Sequence, residues 1–161
     1  KAKVSALRLN AGTVIGVHTV VDLDGVVFGK PTDRDTAADM LKCLRGRDHR
    51  VITAVSMVDA SYGQDLTKCQ VSQVTMRDYV VDEIREYICS EGFVDKAGSY
   101  GIQDVPFSPV LDFRGCYLNV VGLPVCLVVK MLRQLRISLM APLVADWPGI
   151  SLCSDCVKHT S

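Results

Sequence analysis

Apolar residues recur along the chain in two ways, in β-branched stretches typical of strands and at helical spacing, and these patterns divide most of the chain into strands and helices. The β-branched stretches Thr13–Val21 and Val51–Val58 predict strands, and the second is apolar on both faces, as in a central strand. Behind the polar stretch Thr32–Asp35, which resembles a capping box, apolar residues from Ala37 to Leu44 recur at helical spacing. Gly46 ends this predicted helix. The pattern therefore predicts a strand, a helix and a second, buried strand in succession.

The same reasoning covers the rest of the chain. The other predicted elements are a helix end at Lys1–Leu9, a short return strand at Val26–Phe28, a more polar strand nearer an edge at Thr67–Arg77, a helix that Asp78 caps, a hairpin of Val110–Phe113 with Cys116–Val121, and a helix at Leu123–Leu135. Because strands and helices interleave, we expect an α/β fold with a mixed, twisted sheet flanked by helices. The end of the chain shows no clean period, so we divide it into a domain at residues 1–137 and a C-terminal tail at residues 138–161.

The composition limits size and partners. At 161 residues the chain is long enough for one domain with a sizeable core. Its 18 lysines and arginines balance 18 aspartates and glutamates, so no net field attracts nucleic acid. The longest uncharged run, Cys116–Val129, is short of the roughly 20 residues that span a bilayer. We expect a soluble protein with neither a nucleic-acid nor a membrane partner.

The first residue and the cysteines bear on location. The chain begins with Lys1, and no charged and then apolar leader follows. The seven cysteines are odd in number and scattered, which favours buried, reduced thiols over a disulfide framework. Cys153, Cys156 and His159 have metal-like spacing, but a structural zinc site usually needs four ligands and no second pair is evident. We expect a cytoplasmic protein.

The densest candidate chemistry lies at Asp95–Gln103. A carboxylate, an ammonium, two glycines, a phenol and an amide share these nine residues. Glycine lets a backbone approach a ligand closely or adopt a positive φ, and the polar side chains beside it can bind charge at short range. This mixture is typical of a site that binds an anionic substrate.

Weaker constellations each have a structural alternative. Lys30, just before a helix, could meet a phosphate or be a solvated turn lysine. The stretch Gly46–Thr53 could be a basic phosphate patch, but it is more often a solvated loop with internal ion pairs, its histidine hydrogen-bonded in a turn. His18, within an apolar strand, could be a base or a structural residue. Asn119–Pro124 predicts a turn in which Gly122 allows close backbone approach.

Taken in order, these motifs resemble the Maf family of nucleoside triphosphate pyrophosphatases. The resemblance is carried by Lys1-Ala2, Gly16–Val21, Gly29–Pro31, Gly46–Thr53, Asp95–Gln103 and Asn119–Pro124. It implies a central cleft across the sheet, similar to that of the inosine-triphosphate pyrophosphatases. It also implies a house-cleaning hydrolysis of a non-standard or pyrimidine nucleoside triphosphate to the monophosphate and pyrophosphate, with Mg²⁺ or Mn²⁺. Some members of the family are linked to restraint of septum formation.

The resemblance also assigns roles to residues. Lys1, Lys30 and Lys96 would hold phosphates, and Asp95 would bind the metal or fix Lys96. Thr19 and Gln103 match positions that tune base choice in the family, and an amide can pair with a base edge. His18 stands where the family has an aspartate proposed as the proton acceptor. The implied catalytic residues are therefore His18, Lys30, Asp95 and Lys96, and the implied substrate-binding residues are Lys1, Thr19 and Gln103.

The chain departs from the family pattern in three places. A histidine at position 18 can accept a proton near neutral pH but is a poor ligand for Mg²⁺. The chain begins after the family's Ser-x-Ser-Pro-Arg-Arg motif, so we expect an exposed sheet edge that favours a homodimer. Asp104–Phe107 stands where a glycine-rich stretch is expected. Two hypotheses follow: a nucleoside triphosphate pyrophosphatase, active or impaired, and a catalytically inactive nucleotide- or partner-binding module.

Overall fold

A five-stranded sheet forms the centre of the fold in the computed structural model, which describes residues 2–9 and 11–137. In chain order the elements are α1 (Ala2–Ala6), β1 (Thr13–Leu23), β2 (Val26–Phe28), α2 (Arg34–Leu44), β3 (Asp48–Asp59), β4 (Gln64–Met76), α3 (Val81–Cys89), β5 (Val110–Arg114), α4 (Tyr117–Val121) and α5 (Val125–Gln134). The strand order is β2-β1-β3-β4-β5, and all pairings among these strands are antiparallel. The expected α/β class, a sheet flanked by helices, is confirmed. The sheet is antiparallel among the strands described and not mixed as predicted, because short turns join β1 to β2 and β3 to β4, and strands joined in this way run antiparallel.

The apolar positions of β3 explain why it lies at the centre of the sheet. It pairs with β1 on one side and with β4 on the other along most of its length. Val51, Val55 and Met57 alternate with less buried residues and point to one face, because side chains of a strand alternate between faces. That face carries most of the core.

Two groups of helices, α2 with α3 and α4 with α5, cover this face and leave a gap between them. Leu41 and Leu44 of α2 and Ile84 of α3 belong to the cluster around Val51. Farther along the strands, α5 packs against Val55 and Met57 through the residues Met131 and Leu132. The gap between the two groups lies over the middle of β1 and β3. On the opposite face, α1 packs through Ala2 and Ala6 against Val14 and Val58.

Among the strands that the structure describes, one edge of β1 has no partner for most of its length. The return strand β2 pairs only with Val21–Leu23, so residues 13–20 pair with β3 alone among the strands described. Ile15 and Val17 are 42% and 38% exposed there. The exposed sheet edge that the sequence predicted is therefore a feature of the described fold.

The prediction of a second strand in the hairpin is wrong. Val110–Arg114 forms β5, but Tyr117–Val121 forms α4. Ser72 Oγ accepts from Cys116 N (3.1 Å) and donates to Cys116 O (3.0 Å). Because a β4 side chain holds both polar backbone groups of Cys116, the chain turns onto the sheet there and continues as a helix.

The helix starts also differ in detail from prediction. Within the expected capping stretch, it is Asp33 that caps α2, because its carboxylate accepts from Thr36 N at 2.7 Å. Asp78 does not cap α3. That helix follows Val80, whose backbone N–H donates to Glu83 Oε2 at 2.8 Å.

The expectation of buried, reduced thiols is mostly wrong. Cys43, Cys69 and Cys89 are free thiols but exposed, because their positions on α2, β4 and α3 face away from the core. Cys116 is buried, and Cys126 is disulfide-bonded. The predicted tail, with its Cys153, Cys156 and His159, lies outside the described residues. None of the helices described is long and apolar enough to cross a bilayer.

Candidate functional site

A cleft of about 320 Å³ occupies the gap between the two groups of helices. Val21 and Val51 lie on its floor, the segments 95–97 and 100–104 form one wall, and residues 120–122 form the other. It is lined by every predicted site residue within the described ranges, namely His18, Thr19, Lys30, Asp95, Lys96 and Gln103. Lys1 lies outside those ranges. The structure thus brings together residues that are up to 85 positions apart in sequence, from His18 to Gln103.

Both lysines that line the cleft are paired with carboxylates. Lys30 Nζ donates to Asp95 Oδ1 in an exposed ion pair. Lys96 Nζ donates to both carboxylate oxygens of Asp104, at 2.6 and 2.7 Å. The carboxylate that fixes Lys96 is therefore that of Asp104, which sequence analysis did not single out as a site residue, and Asp95 pairs with Lys30 instead.

The backbone of the Asp95–Gln103 segment is left-handed at three positions. The φ angles are +64° at Asp95, +70° at Gly98 and +66° at Ser99. Gly98 N donates to Gly29 O at 3.0 Å, and a Cβ at position 98 would lie 2.9 Å from Val21 Cγ2. Glycine is required here because the backbone both adopts a positive φ and touches β1. The hydrogen bond from Gly98 to Gly29 joins the segment that carries Lys96 to the segment that carries Lys30.

A buried polar network lies under the floor of the cleft. Thr19 Oγ1 and Thr53 Oγ1 are 2.9 Å apart, and Thr19 Oγ1 also donates to Gly122 O at 3.3 Å. Asn119 Nδ2 donates to Val51 O (3.0 Å), while Asn119 Oδ1 has no partner among the described atoms. The network ties the turn after α4 to the sheet. It explains the close backbone approach that the sequence predicted at Gly122, whose φ is +121°.

His18 lies at the rim of the cleft. Since side chains alternate along a strand, His18 points to the face opposite Thr19. It is exposed and also lines a second, mostly apolar groove with Ala2, Gly16 and Ala54. No hydrogen bond to its ring occurs within the part of the chain that the structure describes. Gln103 is likewise exposed at the rim.

His49 is buried, unlike the turn residue that the sequence suggested. It lies in β3, 3% exposed, with its Nε2 atom 2.6 Å from the hydroxyl of Tyr100, a residue that lines the cleft. Burial lowers the pKa of His49 to about 4, and the nearby charge of Asp48 opposes this only partly. The prediction of a solvated loop with internal ion pairs is wrong, because residues 48–53 belong to β3. Arg47 and Arg50 do form ion pairs, but with Asp24 and Asp22, which lie outside the stretch.

The donors in the cleft are compatible with a metal that arrives with its substrate. No group of three or more His, Cys, Asp or Glu side chains among the described residues is arranged to hold a metal ion. The exposed carboxylate of Asp95 lines the cleft, and carboxylate oxygen is the ligand that Mg²⁺ prefers. Because Mg²⁺ is commonly held by one or two carboxylates together with substrate phosphates, this carboxylate fits such an ion.

Comparisons with known proteins agree on one kind of relative. A family model described as "Maf-like protein" matches residues 1–135. A protein of Dehalococcoides mccartyi (strain CBDB1) named dTTP/UTP pyrophosphatase is 37% identical over 156 residues, which are 97% of this chain and 69% of that protein. Proteins of the same name from Syntrophomonas wolfei and Carboxydothermus hydrogenoformans are 42% and 40% identical over 134 residues, which are 83% of this chain and 71% and 72% of theirs.

Proposed function

The chain belongs to the Maf-like protein family, and from this we propose that it hydrolyses dTTP or UTP to the nucleoside monophosphate and pyrophosphate. The observation that carries the proposal is that Lys30, Lys96 and Gln103 all line one cleft. A triphosphate needs cations around its phosphates, and its base needs a group that both donates and accepts hydrogen bonds. The two lysines and the exposed amide supply these groups.

The six site residues that line the cleft each have a role in the proposed reaction, in which water attacks the α-phosphorus and pyrophosphate leaves. Lys30 and Lys96 bind phosphate oxygens and stabilise the charge that develops on the leaving pyrophosphate. His18 reaches the cleft only at its rim, from the opposite face of β1, and from there would accept the proton of the attacking water. Thr19 and Gln103 contact the base. A divalent cation, Mg²⁺ or Mn²⁺, held through Asp95 would neutralise further phosphate charge.

The test is a panel of nucleoside triphosphates. The protein is incubated with dTTP, UTP, dCTP, CTP, ATP or GTP and Mg²⁺ or Mn²⁺, and pyrophosphate release is measured. We expect the fastest release from dTTP and UTP. Lys30→Met should lower kcat/KM about 100-fold, because it removes a cation from the developing charge. Lys42→Met is the matched control, since Lys42 is an exposed lysine on α2 that pairs with Asp39 outside the cleft.

The His18→Asp variant tests the role of His18. A carboxylate at this position can both accept a proton and ligate Mg²⁺, so we expect the substitution to raise turnover. If His18 is itself the working base, His18→Gln should lower turnover, because an amide does not accept the proton of the attacking water. Unchanged turnover in His18→Gln would contradict that role.

A nucleotide-binding module without turnover is the second candidate. It is favoured by the exposed position of His18, whose ring no described residue orients. Binding of dTTP without pyrophosphate from either the wild-type protein or His18→Asp would establish this module in place of the enzyme. Neither binding nor release, from a folded protein, would contradict both functions.

Assembly and location complete the proposal. We expect a homodimer formed along the outer edge of β1, and a cytoplasmic house-cleaning role linked to restraint of septum formation. The open edge at residues 13–20 supports the dimer, because an unpaired strand edge can pair with a second copy.

A further inference from the structure

The side chain of Asp104 is held by several donors at once. Its carboxylate is 18% exposed and accepts two hydrogen bonds from Lys96 Nζ, one from the hydroxyl of Tyr87 and one from Gly101 N at 2.7 Å. A Cβ at position 101 would lie 2.8 Å from Asp104 Oδ2, so the glycine leaves room for the carboxylate. These contacts fix the carboxylate in one orientation.

Tyr87 connects Asp104 to the core. It comes from α3, and its ring stacks on Phe107 with centroids 4.4 Å apart and an interplanar angle of 19°. The same ring lies 6.0 Å from Lys96 Nζ, within reach of a cation–π interaction. Burial, followed by the hydrogen bond to Asp104, raises the pKa of Tyr87, so its hydroxyl stays protonated and donates to the carboxylate. Asp104 is thus anchored on a rigid part of the molecule, although it lies at the wall of the cleft.

We propose that Asp104 is a positioning residue that orients Lys96 toward the phosphates of the bound ligand. An ammonium has three donors, and the two oxygens of Asp104 engage at most two, so at least one N–H remains for an anion in the cleft. Without the carboxylate, the four-carbon stem of Lys96 would be free to take many rotamers, and that freedom would be lost again on binding. The inference rests on the proposed function for the identity of the ligand, a triphosphate.

Asp104→Asn separates charge from shape. Asparagine has the same size and keeps an oxygen for Gly101 N and Tyr87, but it loses the charge that holds Lys96. We expect the affinity for inorganic tripolyphosphate, measured by calorimetry without metal, to fall about tenfold. The KM for dTTP should rise by a similar factor while kcat changes little, because the loss affects binding of the phosphates.

Two further variants calibrate this result. Tyr87→Phe keeps the stacked ring and removes one donor to Asp104, so it should weaken tripolyphosphate binding in the same direction but less. It also decides the question alone if Asp104→Asn does not fold. Asp39→Asn is the matched control, because Asp39 pairs with Lys42 at 2.9 Å on α2, away from the cleft, and should leave both measurements unchanged.

A double-mutant cycle distinguishes positioning from a merely structural role. If Asp104 acts through Lys96, Asp104→Asn should have no further effect on tripolyphosphate binding in a Lys96→Met background. An effect of equal size in that background would overturn the proposal. So would tighter binding by Asp104→Asn, which would mean that the carboxylate competes with phosphate for Lys96. If the wild-type protein binds tripolyphosphate in the expected pattern but releases no pyrophosphate from dTTP, the proposed hydrolysis fails and the positioning role stands.

Discussion

At the scale of single residues, burial decides what His49 does. The sequence places it in a charged stretch, but the ring is enclosed between β3 and Tyr100. With its pKa lowered to about 4 by burial, the ring is neutral at pH 7 and shares a hydrogen bond with the Tyr100 hydroxyl. Burial also raises the pKa of Tyr100, so the phenol stays protonated. The pair attaches the Asp95–Gln103 segment to the sheet at Tyr100.

His49 should make the stability of the fold depend on pH. Its pKa is about 4 in the folded state and 6.5 for an unperturbed histidine, so the unfolded state binds the proton first. The contribution of the neutral ring to the free energy of unfolding is therefore complete above pH 6.5, and it is lost as the pH falls toward 4. The loss amounts to about 3 kcal/mol of unfolding free energy.

Urea unfolding at pH 7.5 and pH 4.5 measures this effect. The stability of a His49→Gln variant should change less between the two pH values than that of the wild-type protein, because acid loss from the carboxylates is common to both. His18→Gln is the control, since it replaces an exposed histidine. Equal slopes for wild-type and His49→Gln would contradict the assignment.

At the scale of elements, the segment from Asp95 to Asp104 depends on close packing against β1. Gly98 is the point of contact, and Asp95 and Ser99 on either side of it are also left-handed. Strained backbone of this kind persists only where the surroundings determine it. Here the hydrogen bond from Gly98 to Gly29 holds the middle of the segment, and the anchor at Asp104 holds its end.

Gly98→Ala should destabilise the fold for two reasons. The φ of Gly98 is +70°, a conformation that residues with a side chain rarely adopt. The new Cβ would also meet Val21 Cγ2 at 2.9 Å. We expect a loss of about 2–4 kcal/mol of unfolding free energy, measured by urea denaturation.

Gly63→Ala is the matched control for this prediction. Gly63 has nearly the same φ, +65°, but nothing lies within 4 Å of the position that a Cβ would take there, so only the backbone cost of about 1 kcal/mol applies. Equal losses for the two variants would mean that the contact between Gly98 and Val21 is not tight.

At the scale of the whole molecule, coverage of the sheet is uneven. Helices α2, α3 and α5 lie on one face and leave the cleft between them, whereas α1 lies on the other face. Along residues 13–20, β1 has no charged side chain and no proline, which are the residues that commonly protect strand edges. The open edge is thus suited to pairing with a second copy.

The proposed homodimer can be tested at this edge. Ile15→Lys places a charge on the exposed edge of β1, and if the dimer forms there the variant should be monomeric in sedimentation velocity. Leu111→Lys is the control, because Leu111 is exposed on β5 at the other end of the sheet. A wild-type protein that is monomeric at all concentrations, or a dimer that Ile15→Lys leaves intact, would contradict the prediction.

Local patterns were sufficient for most elements but not for every one. The strands at Thr13 and Val51 and the helices around Leu41 and Met131 follow from apolar periodicity, which depends only on neighbours in sequence. The strand predicted at Cys116–Val121 is a helix, because Ser72 of a distant strand binds the backbone of Cys116. A contact between residues 44 positions apart leaves no local signal.

The sequence alone determined the class of fold and the family, and it singled out six of the residues that line the cleft, because motif types and spacings are written directly in the chain. Only the tertiary structure decided how those residues are paired. Lys30 meets Asp95, Lys96 meets Asp104 and His49 meets Tyr100 because the fold, and not the order of residues, sets which side chains lie within hydrogen-bonding distance. The segment Asp95–Gln103 was visible as an anion-binding motif, but its anchor at Asp104 and the depth of His49 depend on contacts that form only when the sheet and helices pack together.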